Sequence, residues 1–266
     1  MKYCQGSYCQ PKVRQHQRLI AKLLWLAILF LLSSVVHSSC VVLLHGLART
    51  ENSMSKIEEK LAENGYQVVN DGYSSRKYKI EVLAEKAIGS ALKKCGDDPE
   101  INFVTHSFGG ILVRQYLSTH DISRLARVVM LGPPNKGSEV VDKLGEIPGF
   151  HFINGDAGLQ LGTDVLSVPN TLGPANFDLG IIAGNKSINF FLSTLIPGAD
   201  DGKVSIERTK LSGMNDHIEL ETSHPFMMRN EKVIDQVLFY LKNGRFKRNS
   251  VRSARHRHNA LNDSSS

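Results

Sequence analysis

The sequence has no internal repeat, no cysteine or histidine pair at zinc-ligand spacing, and no acidic residue in its first 38 positions. The second absence argues against a structural zinc module. A basic stripe on the folded part is missing too. Net charge is +6, but residues 1–38 contribute five Lys/Arg and residues 242–266 contribute seven against one Asp. The ends therefore carry +11, which leaves about −5 for the centre, by accounting per segment. A mildly acidic central domain is a poor match for nucleic acid. What remains is ordinary for a globular enzyme: 266 residues, 41% hydrophobic and 22% charged, enough for one sizeable core.

The amino end reads as a targeting segment. Lys12, Arg14, Arg18 and Lys22 precede the apolar run Leu23 to Leu32, and small residues follow through Ser39. That order is a secretory signal, with cutting expected after Ser38. The apolar stretch from Leu19 to Val36 also approaches the length of a spanning helix, so an uncleaved membrane anchor is the alternative for residues 1–38. Both readings export the domain, to the periplasm, to the outside or to the membrane face. Only Cys40 and Cys95 follow the segment. If their strands are neighbours they meet at one sheet edge, and in an oxidising compartment they can bridge; two free thiols are the alternative.

From residue 39 to 242 strands and helices alternate. Cys40–Leu44 is a short run of buried-strand type, followed by a helix to about Asn64, a strand at 66–70 and helical spacing over 80–94. Strands are expected at 101–105, 127–131, 177–183 and 218–221, with helices at 108–119 and 226–242. Alternation of this kind implies an α/β domain with a mostly parallel central sheet and helices on both faces. Residues 142–176 break the rhythm with nine Gly or Pro, as a lid or binding loop would. The tail 243–266 is basic and nearly without large apolar residues, so it reads as disordered, with a possible attraction to anionic membrane surfaces.

The stretch Thr105-His106-Ser107-Phe108-Gly109-Gly110, between a strand and a helix, has the layout of a nucleophile elbow. The usual Gly-x-Ser-x-Gly lacks its first glycine here, since Thr105 stands in that place. A serine hydroxyl needs a histidine to take its proton and a carboxylate to orient that histidine. Sites in parallel sheets form at the carboxyl ends of strands. His224 follows the last strand and so lies at the right edge, whereas His217 starts it. Asp178 fails for the same reason, which leaves Asp200 and Asp201. Asp201 is favoured because Gly202 follows it and the chain must turn there; Asp200 would then hold the loop by backbone bonds. The backbone N–H groups of Phe108 and Leu47 are the expected oxyanion donors. His45 reads as a residue shaping the loop. Phe108, Phe150 and Phe152 suggest an apolar acyl pocket.

Taken together, Leu44-His45-Gly46-Leu47, Thr105 to Gly110, Gly132-Pro133-Pro134-Asn135-Lys136-Gly137-Ser138, Asp201-Gly202 and Ser223-His224-Pro225 resemble the motif set of small bacterial α/β-hydrolase lipases and esterases of the triacylglycerol-lipase type. The resemblance spans about residues 40–242. It implies a minimal α/β-hydrolase fold and serine hydrolysis of lipid or small acyl esters through an acyl-enzyme, without a cofactor. It assigns Ser107, Asp201 and His224 as the triad. The phenylalanine at 108 and the threonine at 105 depart from the usual residues. Acyl transfer by the same triad and a non-catalytic acyl-binding role are the competing readings.

Overall fold

The computed structural model describes residues 39–248. The expected targeting segment 1–38 and the tail beyond Arg248 lie outside these residues. Six strands form one sheet: β1 (Cys40–Leu44), β2 (Gln67–Val69), β3 (Ile101–His106), β4 (Leu125–Leu131), β5 (Leu179–Gly184) and β6 (Asp216–Leu220). All pairings are parallel and the order is β2-β1-β3-β4-β5-β6. The register pairs Leu44 with Thr105, His106 with Leu131 and Gly184 with Leu220. The carboxyl ends of five strands therefore finish along one edge.

β1, β5 and the second half of β4 are continuous apolar runs because both faces of the sheet are covered there. On one face Val42, Leu44, Phe103, Val128 and Ile181 pack against α2 (Ile80–Cys95) and α3 (Phe108–Leu117). On the other face Val41, Leu43, Val104, Val129 and Ile182 pack against α1 (Ser55–Glu63) and α9 (Glu231–Asn243). Alternate residues of one strand thus serve opposite layers. Cys40, at the start of β1, and Cys95, at the end of α2, are joined as a disulfide with a Cα separation of 5.7 Å.

Four stretches differ from the sequence reading. The insertion is not wholly irregular. It holds the end of α4 (Glu139–Leu144), α5 (Phe150–Leu159) and the short α6 (Val168–Thr171). Helical periodicity is blurred there because Gly155, at φ 66°, interrupts α5. The closing helix expected over 226–242 is split: a 3-10 turn covers His224–Arg229, and α9 starts after Asn230, whose side chain accepts hydrogen bonds from the N–H groups of Lys232 and Val233. β6 begins at Asp216, so His217 lies inside the strand, near its start. The ordered chain also runs past residue 242. Phe246 is buried against Tyr240, and Asp216 accepts hydrogen bonds from the Phe246 N–H and the Arg248 guanidinium.

Candidate active site

The loops at the carboxyl edge bring the sequence-predicted residues together. Ser107 closes β3 and opens α3 with φ 52° and ψ −117°, and is one of only two non-glycine residues with positive φ among the described residues. Its Oγ–H donates to His224 Nε2 at 3.0 Å. His224 Nδ1–H donates to Asp201 Oδ2 at 2.7 Å. Asp201 is 1% exposed and His224 4% exposed, so their bond is shielded from water. The other Asp201 oxygen accepts from the backbone N–H groups of Lys203 and Val204, at 3.0 and 2.9 Å. The His224 N–H donates to the Asp201 carbonyl at 2.8 Å, which ties the two loops together.

Asp200 points elsewhere. Its Oδ1 accepts from the Gly202 N–H at 2.6 Å and from Ser193 Oγ at 2.8 Å. It fastens the loop after α7 (Phe190–Ser193). His217 and Asp178 also lie away from Ser107. His217 contacts Thr209, at the end of α8 (Ile206–Thr209), while Asp178 accepts from the Tyr240 hydroxyl and pairs with Arg127. The N–H of Phe108, at the first position of α3, and that of Leu47 donate to no group among the described residues. One opens the helix after Ser107 and the other lies in the loop after β1, and both are free to meet a ligand oxygen.

His45 has the loop-shaping position. Its Nδ1–H donates to the Gly46 carbonyl, its Nε2 accepts from the Tyr73 N–H, and its ring stacks on Tyr73 at 3.9 Å. Burial pushes its pKa down. Burial likewise pushes the Tyr73 phenol up, and that hydroxyl donates to the His45 carbonyl at 2.5 Å.

Two aromatic expectations need correction. Phe108 is fully buried in the core beneath α3 and does not line the acyl pocket. A side chain in the first helical turn leans back toward the strand it follows. Phe152 is 87% exposed and Phe150 alone of the three lines the cavity. That cavity, about 370 Å³, holds Ser107 and His224 and is walled by Val140, Val141, Leu144, Phe150, Ile153 and Leu161.

Three residues at the site escaped the sequence reading. His106 is 2% exposed, and its Nε2–H donates to the His224 carbonyl at 3.0 Å. Its Nδ1 is buried without a partner. Burial first, and then His224, push its pKa well below the usual imidazole value, so the ring is neutral. Arg49 and Lys203 also line the cavity. Their sequence signal was proximity, since each lies two residues from a predicted site residue, Leu47 or Asp201. Among the described residues no cluster of three or more His, Cys, Asp or Glu could hold a metal ion.

The parallel six-stranded sheet, covered on both faces and carrying a positive-φ serine at its carboxyl edge, is an α/β-hydrolase fold. Comparison with solved structures agrees. The mature form of a Bacillus licheniformis lipase superposes with TM-score 0.64 at 18% identity, over 77% of this chain and 93% of that one. An esterase from Exiguobacterium antarcticum gives 0.51 at 18% identity, over 77% and 92%. A metagenomic carboxyl esterase gives 0.53 at 17%, over 71% and 65%. No protein-family model and no curated protein sequence matches the chain.

Proposed function

We propose that the protein is a serine hydrolase of carboxylic acyl esters, acting through Ser107, His224 and Asp201. The observation that carries this reading is the unbroken hydrogen-bond chain from Ser107 Oγ through the His224 ring to Asp201, at the mouth of an apolar cavity. In the first half-reaction His224 Nε2 takes the Ser107 proton as Oγ attacks the ester carbonyl. The N–H groups of Leu47 and Phe108 receive the oxyanion, each worth on the order of 10²–10³ in turnover. His224 then returns the proton to the departing alcohol. Water attacks the acyl-enzyme in the second half, with His224 again the base. Asp201 stays ionised, fixing the tautomer and stabilising the transient imidazolium.

The insertion, residues 142–176, serves as a lid over the acyl site in this reading. Its support is that Leu144, Phe150 and Ile153 line the cavity while Phe152, Val165 and Leu166 project into solvent. Export by the amino-terminal segment fits the Cys40–Cys95 bridge, because such bridges persist in oxidising compartments. Among the described residues no helix is long and apolar enough to cross a membrane. The basic tail would add attraction to an anionic surface.

The test is labelling by a fluorophosphonate probe together with hydrolysis of p-nitrophenyl esters of graded chain length. Ser107→Ala should abolish labelling and lower kcat by roughly 10⁴-fold or more. A folded wild-type protein that neither labels nor turns over any ester would end this reading.

A further inference from the structure

Arg49 and Lys203 stand on the two loops that flank the proposed nucleophile. Both line the cavity that holds Ser107 and His224. Neither enters an ion pair among the described residues. No acidic side chain lines the cavity with them. The buried carboxylate of Asp201 is already engaged by His224 and two backbone N–H groups. Two unpaired cations at one rim are notable in a central domain whose own charge is negative.

The roots of both side chains are fixed. The Arg49 N–H donates to the Gly46 carbonyl at 3.2 Å, and the neighbouring Ala48 N–H donates to Ser75 Oγ at 3.1 Å. The Lys203 N–H donates to Asp201 Oδ1, while its carbonyl accepts from Ser138 Oγ at 2.9 Å. The Lys203 side chain reaches solvent, yet its ammonium is crowded by protein. That desolvation, and then Arg49, push its pKa down, with Asp201 opposing. The two cations therefore feel one another, and Asp201, the carboxylate that acts on Lys203, is held by His224.

We infer that the site takes acyl esters whose alcohol part carries a phosphate, with the apolar wall receiving the acyl chain and Arg49 and Lys203 receiving the phosphate. The inference rests on the proposed ester hydrolysis and names its substrate class. A phosphate suits the pair because it offers several charged acceptor oxygens to a guanidinium fork and an ammonium at once. A carboxylate is saturated by the guanidinium alone. The apolar half of the cavity, walled by Leu144, Phe150, Ile153 and their neighbours, suits a hydrocarbon acyl chain.

The experiment compares kcat/KM for a short-chain monoacylglycerol and for the matching acylglycerol phosphate, both below their aggregation limits. Wild type should prefer the phosphate ester at least about tenfold, the ratio expected from one or two charge-assisted bonds. Arg49→Gln/Lys203→Gln should lower that ratio at least about tenfold by the same reasoning. Lys203→Glu should invert it, and Lys232→Gln, an exposed change on α9, should leave it alone. Inorganic phosphate should inhibit neutral-ester hydrolysis competitively in wild type and lose that effect in the double variant. A wild-type ratio near one, or a ratio the double variant does not move, overturns the inference while neutral-ester turnover keeps the proposed function standing. An equal preference for a matching ester of a carboxylate-bearing alcohol overturns the phosphate assignment. Failure to cleave any ester removes both.

Discussion

Gly109 lies so close to β1 that a Cβ on it would sit 2.5 Å from the Leu44 carbonyl oxygen. The opposing atom is backbone in a strand paired on both sides, so it has nowhere to go. The requirement at this position is therefore close approach of α3 to the sheet, which only glycine permits. Gly109→Ala should destabilise the fold by about 1–3 kcal/mol through overpacking, and Gly109→Val by more. Thermal melting and fluorophosphonate labelling read the two effects separately. A Gly109→Val protein that melts like wild type would show that the helix can shift.

Thr105 occupies the other flank of the turn under a different constraint. It is fully buried, pairs with Leu44 and Met130 in the sheet register, and its hydroxyl finds no partner. The missing glycine of the motif is thus tolerated, since the side chain lies within β3 rather than in the turn. Thr105→Val should raise stability by roughly 1 kcal/mol, because an unpaired buried hydroxyl is removed with little change of shape. Thr105→Gly should keep labelling while losing stability. Loss of labelling in folded Thr105→Gly protein would mean that the threonine positions the serine.

Asp201 and Asp200 are adjacent but face different groups, and the difference predicts different defects. Asp201→Asn leaves His224 without a carboxylate partner and favours the wrong tautomer. It should lower kcat by roughly 10⁴-fold with a small stability change. Asp200→Asn weakens bonds to Gly202 and Ser193. Its main effect should be on stability, by about 1–2 kcal/mol for hydrogen bonds to a charged group. Steady-state kinetics beside denaturant titration decides, and equal kinetic losses would overturn the assignment of the acid.

The strands were legible because burial on both faces leaves an unbroken apolar run, as in Cys40–Leu44 and Val128–Leu131. Sheet-edge logic then separated His224 from His217 and Asp201 from Asp178, since it needs only strand positions and direction. Contacts made across long separations were hidden. His106 meets the His224 carbonyl 118 residues away, and no local pattern announces that. Arg114 is the same kind of case. Its buried guanidinium donates to carbonyl oxygens of Asn135, Pro169 and Gly173, joining α3 to the loop after β4 and to the carboxyl end of the insertion. With no carboxylate partner among the described residues, its burial lowers the pKa to about 10. The insertion itself was illegible where a kinked α5 erased helical period and where exposed Phe152 and Val165 broke the inside-outside rule.

His106 gives a pH signature. In the folded protein its pKa lies well below the usual value, chiefly from burial. In the unfolded chain it titrates near 6.5. Below that pH the unfolded state binds a proton that the native state refuses, so stability is full above about pH 6.5 and falls as pH falls. The His45 shift has the same sign. Melting temperature should therefore drop between about pH 7 and pH 5, with each unit of depressed pKa worth about 1.4 kcal/mol. His106→Gln, which keeps a donor for the His224 carbonyl, should flatten the slope. His106→Phe should flatten it too while lowering kcat, since the His224 loop loses its latch. Parallel slopes for wild type and His106→Gln would show that this histidine is not the proton acceptor.

The Cys40–Cys95 bridge ties the first residue of β1 to the last residue of α2 across a separation of 55 residues. Closing a loop of that size in the unfolded chain is worth roughly 4 kcal/mol in the chain-entropy account. Both cysteines are buried, Cys40 at the start of β1 and Cys95 at the helix end, so reductant reaches them only after local opening. Reduction in mild denaturant should lower the unfolding midpoint sharply, whereas reductant alone at neutral pH should act slowly. Peptide mapping of unreduced protein should recover the two segments as one linked species. The bridge closes the edge of the sheet remote from Ser107, because β1 and β3 both begin there and the site forms where they end. Its loss should therefore spare kcat on the protein that remains folded while shortening that protein's lifetime. A Cys40→Ala/Cys95→Ala variant that melts like the oxidised wild type would remove the bridge from any account of stability.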